Sequence, residues 1–329
     1  MLINVKEEDI LEPVAVIDIG SNSICLLVAV VLRDGSLVQV AKHKDAARLR
    51  DEVGPDGKLS QVAEDRLAEA LERFKVVLAN WRVQQLRCVA TAAFRAASNG
   101  AEVAARLSQR CGIAIEIIAG VEEAQLAWRG VLGGMSDRIE GAVLCADVGG
   151  GSTELLLSKN GEVLFATSIP LGALVVTRTW LGTDPVLPEA VAQARAELRA
   201  MLHRDLRDLL PLHIDVAIGV AGTIQRVARI HQAVTGNTNE SVHGLCLEIA
   251  DLQAVTRAIE SAPTNAERLT VPGMDPSRSD ILLGGALIYE QLAEVLALPK
   301  WLVSMDGLRM GVLWDLTAHH TKGRVIGFT

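Results

Sequence analysis

The hydrophobic pattern of the chain divides into short continuous apolar runs and longer stretches where apolar residues return every three or four positions. The runs at 14–19, 24–33, 86–91, 113–118, 142–146, 155–157, 162–169, 214–220 and 301–304 are rich in Val, Ile and Leu and read as strands. A strand at 36–41 returns from 24–33 through Asp34-Gly35, a hairpin signal. Ser60 is an N-cap residue, and after it Leu67, Leu71, Phe74, Leu78 and Trp81 keep helical spacing, predicting a long helix with one buried face. Further helices are expected after the lead-in 92–99 through about 111, over 120–132, from Pro188 to about 210, after Ala221-Gly222-Thr223, and over 248–263, 279–298 and 307–316. The stretch 42–58 is polar and charged, with Gly54-Pro55-Asp56-Gly57 expected as a turn-rich loop. Strands alternating with helices predict an α/β protein.

Two joints in this pattern carry glycine and oxygen in unusual density. Asp147-Val148-Gly149-Gly150-Gly151-Ser152-Thr153-Glu154 lies between the runs 142–146 and 155–157. Three successive glycines let backbone N–H groups approach an anion, and the flanking carboxylates are the donor type Mg²⁺ prefers. On this stretch alone, a glycine-rich hairpin turn with solvated acids is an equally good reading. The pattern recurs, however. Asp18-Ile19-Gly20-Ser21-Asn22-Ser23 aligns with it, and Arg33-Asp34-Gly35 corresponds to Lys159-Asn160-Gly161. A repeat so widely spaced implies two related domains, each opening with a hairpin whose first loop is rich in glycine and hydroxyls. Two such loops facing each other across a cleft would grip a phosphate chain from both sides, and the repeat favours that reading.

Composition narrows the partners. The formal net charge of −8 over 329 residues argues against general nucleic-acid binding, so a polyanionic partner requires basic residues concentrated locally. The five cysteines (25, 88, 111, 145, 246) are scattered and form no CxxC, which disfavours structural zinc and a disulfide framework and fits a reducing cytoplasm. The N-terminal residues lack the pattern of a signal peptide. The longest apolar run, 24–32, falls short of the ~20 residues that span a bilayer. A soluble cytoplasmic protein without a membrane partner is expected. The seven histidines form no ligand spacing.

Eight stretches together resemble the sugar-kinase/actin/heat-shock-ATPase architecture, and more narrowly the exopolyphosphatase/guanosine-pentaphosphate phosphohydrolase (Ppx/GppA) family. They are 18–23, Thr91 with Arg95, 120–124, 147–154, 168–173, 219–223, 278–280 and 307–309, in family order over nearly the whole chain. The resemblance implies two actin-like (ribonuclease H-like) α/β domains, 1–122 with 306–329 and 123–305, around a central interdomain cleft with hinge closure. It implies that Glu123 orients and deprotonates the attacking water and that Arg95 stabilises transition-state charge. It further implies that Asp147 and Glu154 hold Mg²⁺, directly or through water, with Asp18 doing similar work on the opposite loop. Ser21, Asn22, Ser23, Gly149, Gly150, Gly151, Ser152 and Thr153 would donate hydrogen bonds to phosphates. Read from residues alone, Glu122 and Glu123 could merely complement a helix N-terminus. Spacing does not decide which of them turns inward. Arg95 could be a surface charge, Ser23 and Thr153 ordinary turn residues, and Gly219, Gly222 and Thr223 a helix start packed on a strand.

The implied reaction is Mg²⁺-dependent hydrolysis of the terminal phosphate of inorganic polyphosphate, releasing orthophosphate. Removal of the 5′-phosphate from guanosine pentaphosphate is the alternative, and phosphate transfer to ADP a third. A catalytically silent polyphosphate or alarmone sensor is the rival outside the enzymes. A homodimer is expected. The sequence departs from the family at Leu308-Arg309-Met310-Gly311, where members read Leu-Arg-Glu-Gly, and at Leu174-Val175-Val176, where an arginine is frequent. Both departures remove charge near the expected cleft edge. Ending at Thr329, the sequence lacks the helical C-terminal region of longer members. Shorter chains or nucleotides as substrate, or grip from a second subunit, are therefore expected.

Overall fold

In a computed structural model, residues 10–318 are described, apart from 34, 35, 55, 137, 138, 183 and 239. The Asp34-Gly35 turn lies outside the described residues. The chain divides into two units, Met1–Gly134 with Leu308–Thr329, and Met135–Gly307.

Unit 1 contains, in chain order, β1 (Ile10–Ile19), β2 (Ser23–Leu32), β3 (Leu37–Ala46), α1 (Gln61–Asn80), β4 (Gln85–Ala90), α2 (Ala92–Ala96), α3 (Gly100–Cys111), β5 (Ile115–Ile117) and α4 (Gly120–Met135). Its sheet has the order β3-β2-β1-β4-β5, with β1, β2 and β3 antiparallel and β4 and β5 added parallel to β1. One face of β1 and β2 (Ala15, Ile17, Ile19, Ile24, Leu26) packs with Leu67, Leu71 and Phe74 of α1 and Val103 and Leu107 of α3. The opposite face (Val14, Val16, Leu27, Ala29) packs with Leu126 of α4 and with Val312 and Leu313 near the chain's end. Covering both faces of the sheet explains why its strands read as continuous apolar runs instead of alternating ones. Strand β3 extends past its expected end at Ala41 through the charged residues 42–46, because β2 is long enough to supply backbone partners as far as Ala46.

Unit 2 contains β6 (Ala142–Val148), β7 (Thr153–Lys159), β8 (Glu162–Ile169), α5 (Ala173–Val176), α6 (Pro188–Asp205), β9 (Val216–Val220), α7 (Ala221–Thr235), β10 (Cys246–Glu248), α8 (Ile249–Glu260), α9 (Asn265–Arg268), α10 (Leu282–Val295) and β11 (Lys300–Val303). Its sheet order is β10-β11-β9-β6-β7-β8. Read from the far edge, β8-β7-β6-β9-β11 repeats β3-β2-β1-β4-β5 strand for strand and direction for direction, and β10 is the addition. The sequence repeat is therefore a repeat of topology. Helix α11 (Leu308–Leu316) then completes unit 1.

The expected boundaries at 122 and 305 fall instead at 134 and 307. Helix α4 runs unbroken through the first of them, so Glu123 belongs to unit 1. Among the described residues no helix is long and apolar enough to cross a membrane.

Candidate active site

In unit 1, β1 carries Asp18 to its end, and the chain turns through Gly20, Ser21 and Asn22 into β2. The Gly20 amide donates to the Ser23 carbonyl at 3.0 Å. In unit 2 the Gly149 amide donates to the Ser152 carbonyl, also at 3.0 Å. A Cβ on either glycine would sit 3.3 Å from that same carbonyl, so both loops close in the same way. This closure spends the Gly20 and Gly149 amides internally. The amides of Ser21, Asn22, Gly150 and Gly151 make no hydrogen bond among the described residues. Each loop thus offers two adjacent amide donors, the arrangement that receives anions. The Ser21 hydroxyl is buried with no partner among the described residues. Asn22 is fixed through its carbonyl, which accepts from the amides of Ala47 and Arg48 at 3.1 and 3.0 Å. The Ser23 hydroxyl lies 3.7 Å from the Cys25 sulfur.

Asp147 and Glu154 face each other across β6 and β7, and both are buried. Directly opposite residues in an antiparallel pair share a face, so the two carboxylates form one oxygen-rich patch. Ser168, opposite Glu154 on β8, donates its hydroxyl to Glu154 Oε1 at 2.7 Å and orients it. The triple-glycine loop rests on the segment after β8. The amides of Ala173 and Leu174 donate to the carbonyls of Gly149 and Gly150, both at 2.9 Å. A Cβ on Gly172 would lie 2.5 Å from Gly150 backbone atoms, so only glycine fits there. Thr153 corrects the expectation made for it. It is 0% exposed and its hydroxyl donates to the Leu171 carbonyl at 2.5 Å, so it fastens the loop and has no hydroxyl left for phosphate. Thr223 acts alike, donating to the Val148 carbonyl at 2.8 Å, while a Cβ on Gly219 would meet Ile224 and Tyr289. These contacts fit the reading of 219–223 as a helix start packed on a strand.

Asp18 differs from Asp147. The residue across from it on β2 is Cys25, not a second acid, and Arg309 Nη1 of α11 donates to its Oδ2 at 3.1 Å. Burial pushes the Asp18 carboxyl above its ordinary value, against the pull of Arg309. A guanidinium on Oδ2 competes with a cation for that oxygen. Arg309 stood in a recognised motif without a role. Its partner is 291 residues away in sequence, and that separation hides the pairing.

The Glu122–Glu123 question resolves by geometry. Glu122 accepts from Arg87 Nη2 at 2.6 Å, in a partly exposed network with Glu116 and Asp315 that Arg129 joins through Asp315. Glu123 is only 7% exposed, and Arg95 Nη1 donates to its Oε2 at 2.6 Å and to the Ile118 carbonyl at 3.1 Å. Arg95 reaches it from α2, a single turn that ends where Ala97 turns extended. Arg95 is thus no solvated surface charge. A carboxylate buried at the start of a helix and held by the Arg95 guanidinium has a fixed orientation.

No cluster of three or more His, Cys, Asp or Glu side chains forms among the described residues. The donors that do come together are Asp147 and Glu154. Two hard carboxylates fit Mg²⁺, which keeps several waters and takes its remaining ligands from substrate phosphates.

Against known proteins, residues 28–320 match the Ppx/GppA phosphatase family. The chain belongs to that family. Exopolyphosphatase 2 of Mycobacterium tuberculosis is 32% identical over 292 residues, covering 86% of this chain and 90% of that protein. The guanosine-5′-triphosphate,3′-diphosphate pyrophosphatase of Aeromonas salmonicida is 30% identical over 310 residues, covering 93% of this chain but 60% of that protein. The crystal structure of the Aquifex aeolicus Ppx/GppA family member superposes with a TM-score of 0.78 at 27% identity, covering 94% of this chain and 98% of that one. The actin-like two-domain Ppx/GppA fold is therefore the fold of this chain.

Proposed function

We propose that this family member is an exopolyphosphatase that hydrolyses the terminal phosphoanhydride of inorganic polyphosphate with Mg²⁺ and releases orthophosphate. The observation that carries the reading is the buried Glu123 held by Arg95, a base with a fixed orientation that a pure binding protein does not need. Similarity to a named exopolyphosphatase over nine-tenths of its length supports the substrate class.

In the proposed reaction, Glu123 accepts a proton from water as the water oxygen attacks the terminal phosphorus. The bond from that phosphorus to the bridging oxygen breaks, and the bridging oxygen leaves with the shortened chain. Arg95 keeps Glu123 in one rotamer, and its guanidinium meets charge on the phosphoryl oxygens. The amides of Ser21, Asn22, Gly150 and Gly151, with the hydroxyls of Ser21, Ser23 and Ser152, receive non-bridging phosphate oxygens. Asp147 and Glu154, the latter oriented by Ser168, would hold Mg²⁺, with Asp18 contributing through water. The bound ion would neutralise charge on the phosphate oxygens.

The test is orthophosphate release from polyphosphates of several lengths, guanosine pentaphosphate and ATP, with Mg²⁺ and again with EDTA. Release from polyphosphate that EDTA abolishes is expected. Fastest release from guanosine pentaphosphate would instead favour the reading that the Aeromonas relative suggests. No release from any of them, with polyphosphate still bound, would leave a sensor. A cytoplasmic homodimer is proposed as the working form, and its mass in solution is the check.

A further inference from the structure

Helix α7 carries Arg226, Arg229 and Ala233 along one face, at spacings of three and four residues. The segment after α9 closes on that face at Gly273, whose φ is +82°. A Cβ there would lie 2.8 Å from the Arg229 carbonyl and 3.0 Å from the Ala233 side chain, an approach closed to any side chain. Beside this contact is a cavity of about 280 Å³, lined by the two arginines with Gln232, Thr238 and Asp275. Pockets for drug-sized molecules begin near ~300 Å³, so this one suits a small metabolite. Thr223 anchors the start of α7 to Val148. Arg229 stands about 9 Å further along the helix axis and Gln232 about 14 Å, well past the glycine loop.

The polar groups of the cavity are unequally satisfied. Asp275 accepts from Arg226 Nε, and its other oxygen accepts from the amide and hydroxyl of Ser277 at 2.9 and 2.8 Å. The acid is thus fixed and matched, while the Arg226 Nη atoms make no hydrogen bond among the described residues. Arg229 is exposed, and its guanidinium has no hydrogen bond or ion pair among them. Gln232 is 2% exposed. Its Nε2 donates to the Glu240 carbonyl at 3.1 Å, and its Oε1 is buried without a partner. A buried acceptor left unmatched is costly, and a bound donor would satisfy it.

The position of Gln232 selects the kind of donor. It lies in the last turn of α7, where the helix dipole favours positive charge. The arginines, nearer the middle of the helix, favour carboxylates, which guanidinium forks match in shape. Two guanidinium groups against one carboxylate leave the cavity a single positive charge. Its complement is a small molecule with an ammonium at one end and two carboxylates. From this arrangement we infer a binding site for an acidic α-amino acid, with its carboxylates on Arg226 and Arg229 and its ammonium donating to Gln232 Oε1. The inference is independent of the proposed activity.

The experiment is isothermal titration calorimetry of the full chain with L-glutamate, L-aspartate, glutarate, succinate, L-glutamine and inorganic phosphate. Glutarate and succinate lack the ammonium, and glutamine lacks the second carboxylate. At least one acidic amino acid should bind, with its ammonium-free analogue and glutamine each about tenfold weaker or more. Arg229→Ala should leave the melting temperature of the free protein unchanged and weaken that binding by about tenfold or more. Arg207→Ala, at an exposed arginine of the same unit outside the cavity, should leave it unchanged. Absence of binding by both acidic amino acids up to about 10 mM would overturn the site. Equal binding of the ammonium-free analogue would overturn the role of Gln232 and with it the ligand class. Binding that survives Arg229→Ala would place the ligand elsewhere and overturn the inference. Phosphate bound as tightly, with the same dependence on Arg229, would show a plain anion site and also overturn it.

Discussion

At the scale of single residues, side-chain direction separates chemistry from support. Glu122 and Glu123 are neighbours on one helix turn, yet one joins a surface ion network and the other is buried against Arg95. Arg95→Lys keeps the charge but loses the planar fork, so kcat is expected to fall ten- to a hundredfold in steady-state kinetics. Ser168 orients Glu154, and Ser168→Ala should raise the Mg²⁺ concentration for half-maximal activity by about tenfold, read by metal titration. A third residue gives a pH signature. Asp275, against the upward push of its burial, is held down to about 2 by the hydroxyl and amide of Ser277 and by Arg226. A depressed carboxyl contributes stability above its unfolded value near 3.8 and loses it as pH falls through about 2. Denaturation of Asp275→Asn should show a deficit at pH 7 that shrinks between pH 4 and 2.

The positions of Asp147, Glu154 and Glu123 were readable because each sits in a short local pattern, and the structure buries all three. Thr153 and Asp18 were not fully legible. The partners that define them, the Leu171 carbonyl and Arg309, arrive from elsewhere in the fold, and no spacing announces them.

Among the elements, strand and helix types followed from periodicity, and the differences have local causes. Strand β3 outran its apolar stretch because an edge strand tolerates charge on both faces when its neighbour supplies the ladder. The stretch 92–99, expected to lead into a helix, forms a short helix of its own, α2, before α3. Ala97 turns extended between them, and the Asn99 side chain bonds both the amide and the carbonyl of Leu59, at 2.9 and 3.0 Å. That break places Arg95 on a separate turn. The glycine loop of unit 2 depends on the segment after β8, where Gly172 admits no side chain. Gly172→Ala is expected to cost about 1–3 kcal/mol by overpacking, measured by chemical denaturation, and to lower activity through the displaced loop.

For the molecule as a whole, the repeat is the organising fact. The duplication was readable from two glycine loops, and the sheets repeat the same strand order and directions around them. The chain's return to unit 1 was expected, but the boundary at 134 was not, because α4 carries no break at 122 for a sequence pattern to register. Helix α11 seals one face of the first sheet with Val312 and Leu313, both 0% exposed. Leu313→Ala should therefore cost about 2–5 kcal/mol, seen as a lower midpoint in urea.

The most direct test of the proposed chemistry is the Glu123→Gln variant, which keeps the shape and removes the base. Orthophosphate release from polyphosphate with Mg²⁺ and polyphosphate affinity are measured together on this variant and wild type. Turnover is expected to fall by a factor of about 10²–10⁴ while affinity stays within about twofold. Turnover near the wild-type rate would contradict the assignment of Glu123 as the base.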